Sequence, residues 1–245
     1  MLREMLLQAG ALPSRYTWRN PFKIIEYQEL LRDVDVHPDD VLLDLGCGSG
    51  PQDLLLARRA AHVIGIDVSA SEIERAKARA AVYARDCRLE FRCTPIEHAG
   101  FAAHQFDKVF SFCVLEHIPN REEVFATIAR VLKPGGVLAI SVDSLAGIND
   151  PALIAKHRAD HRVITYFTPP ELEALLARHG FERIRIWPIF RGPYARKLFE
   201  AGIEREFVFD PLRKFGTLAR LAFDEATHAQ AGQGLFLCAT AARPH

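Results

Sequence analysis

The chain has 245 residues, with 31 basic and 31 acidic side chains, so its formal net charge is zero. That balance argues against a general nucleic-acid binder, which needs a basic excess. No run of 18 apolar residues occurs, so no membrane span is expected. The five cysteines (47, 87, 93, 113, 238) are odd in number and form no C-x-x-C. They read as reduced thiols of a cytoplasmic protein, not as a disulfide framework or a zinc site.

In chain order, residues 1–10 read as a helix. Arg3 and Glu4 interrupt its apolar stretch, and no small-residue cleavage site follows, unlike a signal peptide. A second helix over 22–33 has Phe22, Ile25, Leu30 and Leu31 on one side and Pro21 at its start. Val41–Leu45 is a short apolar run stopped by glycines, hence a buried strand. A helix over 54–60 and a second buried strand, His62–Asp67, follow. Ser69 and Glu72 form a capping-box pattern opening a helix over 70–85. Strands are expected at 88–92, 107–113 and 137–142, with a helix at 121–132 and a turn at Lys133-Pro-Gly-Gly136. Thr168-Pro-Pro170 opens a helix that reaches His179 and stops at Gly180. Strands at 181–187 and 234–240 complete the count.

Strands alternating with helices imply a parallel sheet covered on both faces, an α/β doubly wound fold. The organisation reads as an N-terminal helical cap (1–35), a core (36–187), an inserted helical lid (188–233) and the core's final strand (234–245). The insert is too long for a plain loop. It holds six of the sixteen phenylalanines (190, 199, 207, 209, 215, 223). Leu212, Phe215, Leu218 and Leu221 form a stripe beside Arg213, Lys214 and Arg220. The stripe suits packing on the sheet, a lid over an apolar acceptor, or peripheral contact with a membrane surface.

The unit from Val41 to Ala60 contains Asp44-Leu-Gly46-Cys47-Gly48-Ser-Gly50. Glycines between a first strand and its helix let a ligand approach the backbone closely. A dinucleotide fingerprint would need glycine at 51, where proline stands. Asp44, just before the loop, would repel a pyrophosphate but suits a cationic group. The next strand ends in Asp67, placed to accept hydrogen bonds from ribose hydroxyls. The ligand these features call for is an adenosine with a cationic tail and no pyrophosphate. S-adenosylmethionine (SAM), giving S-adenosylhomocysteine (SAH) as product, fits.

At these residues the sequence resembles the class I SAM-dependent methyltransferases, especially the small-molecule branch that includes ubiquinone- and menaquinone-pathway enzymes. VLLDLGCGSG (41–50), IGIDVS (64–69), FDKVFSFCVLEHI (106–118), VLKPGGVL (131–138) and YFTPPELEALLARHGF (166–181) match the family's motifs in order. The resemblance implies a seven-stranded Rossmann-like sheet ordered 3-2-1-4-5-7-6, with the last strand antiparallel. It places Gly46, Cys47, Gly48 and Gly50 around the methionine part of SAM and Asp44 toward its ammonium. Asp67 would bind both ribose hydroxyls, and Val68 would pack on adenine. An acidic residue often contacts the adenine amino group; here Thr94-Pro95-Ile96 occupies that segment, with Glu97 a weaker substitute. Cys113 falls near the transferable methyl, or is simply a small core residue.

Methyl transfer is an in-line displacement in which the protein mainly supplies proximity and orientation. An acceptor that must lose a proton needs a base, and histidine is the natural candidate. His117 lies just after the fourth strand, and the resemblance places a histidine there in many relatives. His157 and His161, spaced i, i+4, share a face, with Asp160 and Tyr166 nearby and Asp143 ending the fifth strand. Two histidines are too few for a metal site, so no metal is expected. Tyr16, Trp18 and Arg19 are candidates to close over SAM. The expected activity is methylation of an O, C or N atom of a small, partly apolar metabolite. The alternative is a SAM-binding regulatory or accessory subunit. The oligomeric state is not legible.

Overall fold

A computed structural model describes residues 20–205, 207, 209 and 214–245. The expected helix over 1–10, the candidates Tyr16, Trp18 and Arg19, and Leu212 and Arg213 of the stripe lie outside them.

The first described helix, α1 (Pro21–Arg32), starts where Asn20 Oδ1 accepts the Phe22 N–H at 2.9 Å and Pro21 occupies the first turn. β1 (Val41–Leu45) leads through the glycine loop into the one-turn helix α2 (Asp53–Leu56). The expected helix over 54–60 thus shortens, and hydrogen-bonded turns carry the chain on to Ala60. β2 (His62–Asp67), α3 (Ala70–Tyr83), β3 (Leu89–Cys93) and β4 (Phe106–Phe112) follow, then α4 (Arg121–Val131) and β5 (Leu132–Asp143). β5 begins at Leu132, five residues before the expected 137, and takes in the whole of the supposed turn. Gly135 N–H donates to Arg243 O and Arg243 N–H to Gly136 O, so the glycines join the edge of the neighbouring strand. α5 (Pro151–His161), α6 (Pro169–Arg178), β6 (Glu182–Ile189), α7 (Pro193–Glu204), α8 (Lys214–Thr227) and β7 (Phe236–Ala242) complete the chain.

The seven strands form one sheet in the order β3-β2-β1-β4-β5-β7-β6. β7 runs antiparallel to both its neighbours, and every other described pairing is parallel. Leu45 is in register with Ile66 on one side and Ser111 on the other, so β1, β2 and β4 end on one edge. In a doubly wound sheet that carboxyl edge is where ligands bind.

Two apolar clusters cover the two faces. One gathers Val124, Phe125, Ile128 and Val131 of α4 with Leu172, Leu175 and Leu176 of α6. The other gathers Phe22, Ile25 and Leu30 of α1 with Ala195, Phe199 and Ile203 of α7. Phe22, Phe190, Phe199 and Phe236 meet edge to face, with centroids 4.8–5.6 Å apart. Phe190 and Phe199 of the 188–233 segment are therefore packed into the core. Asp224 of α8 caps α7 by accepting the Ala195 N–H at 2.8 Å, and Glu225 pairs with Arg191.

Candidate active site

The glycine loop is shaped by its neighbours. Gly46 and Cys47 both donate N–H to Ile66 O, at 2.8 and 3.0 Å. Gly46 sits at φ +73°, and a Cβ there would fall 2.3 Å from a Val114 methyl. Gly50, also at φ +73°, faces Phe91, which a Cβ would approach to 2.7 Å. Only glycine fits both conditions at either position. Gly48 has nothing within 4 Å of its notional Cβ, and its N–H donates to Asp67 Oδ2 at 2.9 Å. Asp67 Oδ1 accepts the Ser69 N–H at 2.8 Å. Each Asp67 oxygen thus has one backbone partner and retains capacity for another donor.

Three cavities run together along this edge. The first, about 310 Å³, is bordered by Asp67, Val68, Thr94, Pro95, Ile96 and Val114. Val68 lies 73% exposed beside it, an uncovered apolar surface. The Thr94 hydroxyl donates to Pro95 O at 3.1 Å and keeps its lone pairs, and Glu97 borders the same cavity. The second, about 290 Å³, is bordered by Gly46, Cys47, Gly48 and Gln52, with Lys23 and Tyr27 from α1. The third, about 240 Å³, collects Cys113, Glu116, His117, Asp143, His157 and His161 against Phe199, Phe207 and Phe236. Gly46 borders the first two, Lys23 the last two, and His117 the first and third. The three cavities adjoin as neighbouring lobes that share these residues as walls.

The structure brings together most of the residues singled out in the sequence. Of the cofactor and catalytic candidates, two do not border the cleft. Gly50 is buried against Phe91. Asp44 is fully buried; its Oδ2 accepts the Gln52 amide at 2.8 Å, while its Oδ1 has no hydrogen-bond partner. Burial raises the Asp44 carboxyl to about 7, and burial also drives the adjacent Asp53 well above the carboxylate range. Gln52, which also bonds Cys47 O at 3.0 Å, lies between this buried acidic pair and the second cavity. The sequence reading missed Gln52, Lys23 and Glu116.

The third lobe is unusual in charge. Lys23 pairs with the fully buried Glu26 at 2.9 Å. Glu26 Oε1 also accepts from the Ser141 hydroxyl and, at 3.1 Å, from the Cys113 thiol. Cys113 adopts φ +52°, which turns the chain at the end of β4 and aims its sulfur at Glu26. The Asp143 N–H donates to Glu116 Oε1 at 3.2 Å, whereas the buried Glu116 Oε2 has no hydrogen-bond partner. Donor atoms of Cys113, Glu116 and Asp143 lie within 4.8 Å of one another. Burial drives Glu116 well above the usual carboxylate range and Asp143 to about 7, the latter opposed in part by Lys23.

The histidines behave oppositely. His157 Nδ1 is 3.0 Å from the Tyr166 hydroxyl, and its Nε2 is 3.8 Å from Asp143 Oδ2. Burial lowers it to about 4, and burial also lowers His117 and His161. All three are neutral near pH 7.

A family model described as a methyltransferase domain matches residues 43–140. The O-methyltransferase rstn1 of Aspergillus nomiae is 31% identical over 150 residues, covering 60% of this chain and 67% of that protein. The chain belongs to the class I SAM-dependent methyltransferases. A ubiquinone biosynthesis O-methyltransferase of Brucella anthropi is 32% identical over 151 residues, covering 58% of this chain and 60% of the relative. The chain spans between 39% and 60% of the length of the first three curated relatives it matches. Among solved structures, a Haemonchus contortus phosphoethanolamine N-methyltransferase 2 aligns with TM-score 0.67 at 21% identity, covering 91% of this methyltransferase and 53% of that chain. That likeness concerns the fold. No helix among the described residues is long and apolar enough to cross a membrane.

Proposed function

We propose that this methyltransferase binds SAM in the first two lobes and methylates a small, partly apolar metabolite held in the third. The residues present fit the cofactor. Asp67 retains acceptor capacity for the ribose hydroxyls, Val68 offers an uncovered apolar face to the adenine, and Thr94 has lone pairs for its amino group. Gln52 borders the second lobe with a side-chain carbonyl oxygen able to accept from an ammonium and the buried Asp44–Asp53 pair behind it, and Lys23, paired with Glu26, borders the same lobe. When bound, SAM supplies an activated methyl group, so the protein's task is orientation, water exclusion and proton handling.

The observation that carries this reading is the adjacency of the three cavities. Lys23 and His117 border both a cofactor lobe and the third lobe, so a group bound at Gly46–Gly48 lies beside whatever occupies the third. Phe199, Phe207 and Phe236 give that lobe its apolar wall, and α7, through Phe199, acts as a fixed part of the lid. The test is SAH formation from SAM over a panel of small acceptors. Turnover with compact, partly apolar acceptors is expected. A preference for highly charged ones contradicts the apolar assignment, and activity only with a second protein favours an accessory role.

A further inference from the structure

Among the described residues, the third lobe holds two carboxyl groups with too little positive charge to match them. Glu116 and Asp143 have donor oxygens within 4.8 Å of each other, and both side chains are buried. On α1, the Lys23 ammonium is already paired with Glu26. From the β4 end, Cys113 is a thiol and His117 a ring flanking the lobe; from β5, Ser141 is a hydroxyl bonded to Glu26. From α5 and beyond, His157 is bonded to Tyr166, and His161 faces the same lobe. None of these supplies a second free cation. Two buried carboxylates this close cannot both stay ionised unless a cation is added, so the empty pair holds a proton. Glu116 Oε2, buried without a hydrogen-bond partner, marks the unfinished side of the arrangement.

We infer that the Glu116–Asp143 pair is the proton acceptor of the reaction and that the positive charge of the bound cofactor arms it. This rests on the proposed function above. With a sulfonium in the adjacent lobe, the pair gives up its proton to solvent; with the neutral thioether SAH, it keeps it. The step balances. The acceptor's X–H proton passes to Asp143, the X–H electron pair forms the bond to the methyl carbon, and the S–C pair returns to sulfur. One carboxylate and one sulfonium become one carboxylic acid and one thioether, so the buried lobe carries the same net charge before and after. Asp143 borders the lobe and lies at the end of β5; His157, bonded to Tyr166 through Nδ1, approaches Asp143 Oδ2 with Nε2 at 3.8 Å but is lowered to about 4 by burial and so adds no charge. The burial that raises Asp143 to about 7 places this proton within reach of neutral pH.

The test needs no identified acceptor. SAM and SAH are each titrated calorimetrically near pH 7 in buffers of different ionisation enthalpy, giving the protons exchanged on binding. SAM should release measurably more protons, up to one, from the wild type than from Asp143→Asn, while SAH shows no such difference between the two proteins. The cofactor's own amino group contributes equally to both proteins and cancels in the comparison. Glu116→Gln gives a second, independent reading of the same shared proton should Asp143→Asn fold poorly, and it should also lose the SAM-specific release. Equal proton exchange by wild type and a folded variant overturns the inference. Failure of wild type to bind either compound overturns the functional reading instead.

Discussion

The proposed cofactor and acceptor halves of the cleft are built by different means. The cofactor half relies on backbone: positive-φ glycines, the N–H groups of Gly48 and Ser69 on Asp67, and strand ends held in register. The acceptor half relies on side chains brought from α1, the end of β4, β5, α5, α7 and β7. Backbone sites depend on local sequence spacing and tolerate little change. Side-chain sites depend on packing between distant elements, so a shared scaffold can carry different acceptor pockets.

Substitutions at the cofactor half should show the largest effects. Gly46→Val meets both a disallowed backbone region and the Val114 methyls, so it should abolish detectable SAH binding and lower Tm. Unchanged affinity would mean the loop is not built as described. In the acceptor half, Phe199→Ala removes a ring 2% exposed, packed on Phe22, Phe207 and Phe236. It should cost about 3–5 kcal/mol of stability while a folded sample keeps its SAH affinity. Chemical denaturation and calorimetry together separate the two.

Asp67→Ala should weaken SAH by about 1–3 kcal/mol, since the ribose loses a charged acceptor and the loop loses its two anchored N–H groups. An unaltered Kd in folded protein would refute the ribose assignment.

The pH dependence of the ligand-free protein sharpens the contrast further. The folded carboxyls of Asp44 and Asp143 sit near 7, above their ordinary 3.8. Their contribution to stability is therefore complete at low pH and is lost as pH rises through about 7. His157, lowered to about 4, acts oppositely, but only up to its ordinary 6.5. Above about pH 6.5 the carboxyls dominate, so Tm should fall between pH 6.5 and 8, and Asp143→Asn should flatten that fall. A flat wild-type profile would show that these groups ionise freely. The smallest effect belongs to Val68→Ala, which leaves Tm unchanged and weakens SAH by about 1 kcal/mol through lost apolar contact.

The same contrast explains what the sequence revealed. The strands, the Gly46–Gly50 loop and Asp67 follow from local patterns, because a backbone site is written in consecutive residues, whereas the strand order came through the family resemblance. α1 was legible as a helix through Phe22, Ile25 and Leu30. Its role in the cleft was not, because Lys23 and Glu26 acquire meaning only once α1 lies across the ends of β4 and β5. Their i, i+3 spacing was the available signal. Glu116 stood beside His117 in the motif, yet its importance lies in its proximity to Asp143, 27 residues on. The Lys133–Gly136 segment read as a turn because Pro and Gly break local patterns; pairing with the far end of the chain makes it strand.

The most direct measurement is a calorimetric titration of the protein with SAH, with NAD as the control. The account predicts stoichiometric binding of SAH and none of NAD. Binding of NAD, or no SAH binding by a folded sample, would contradict it.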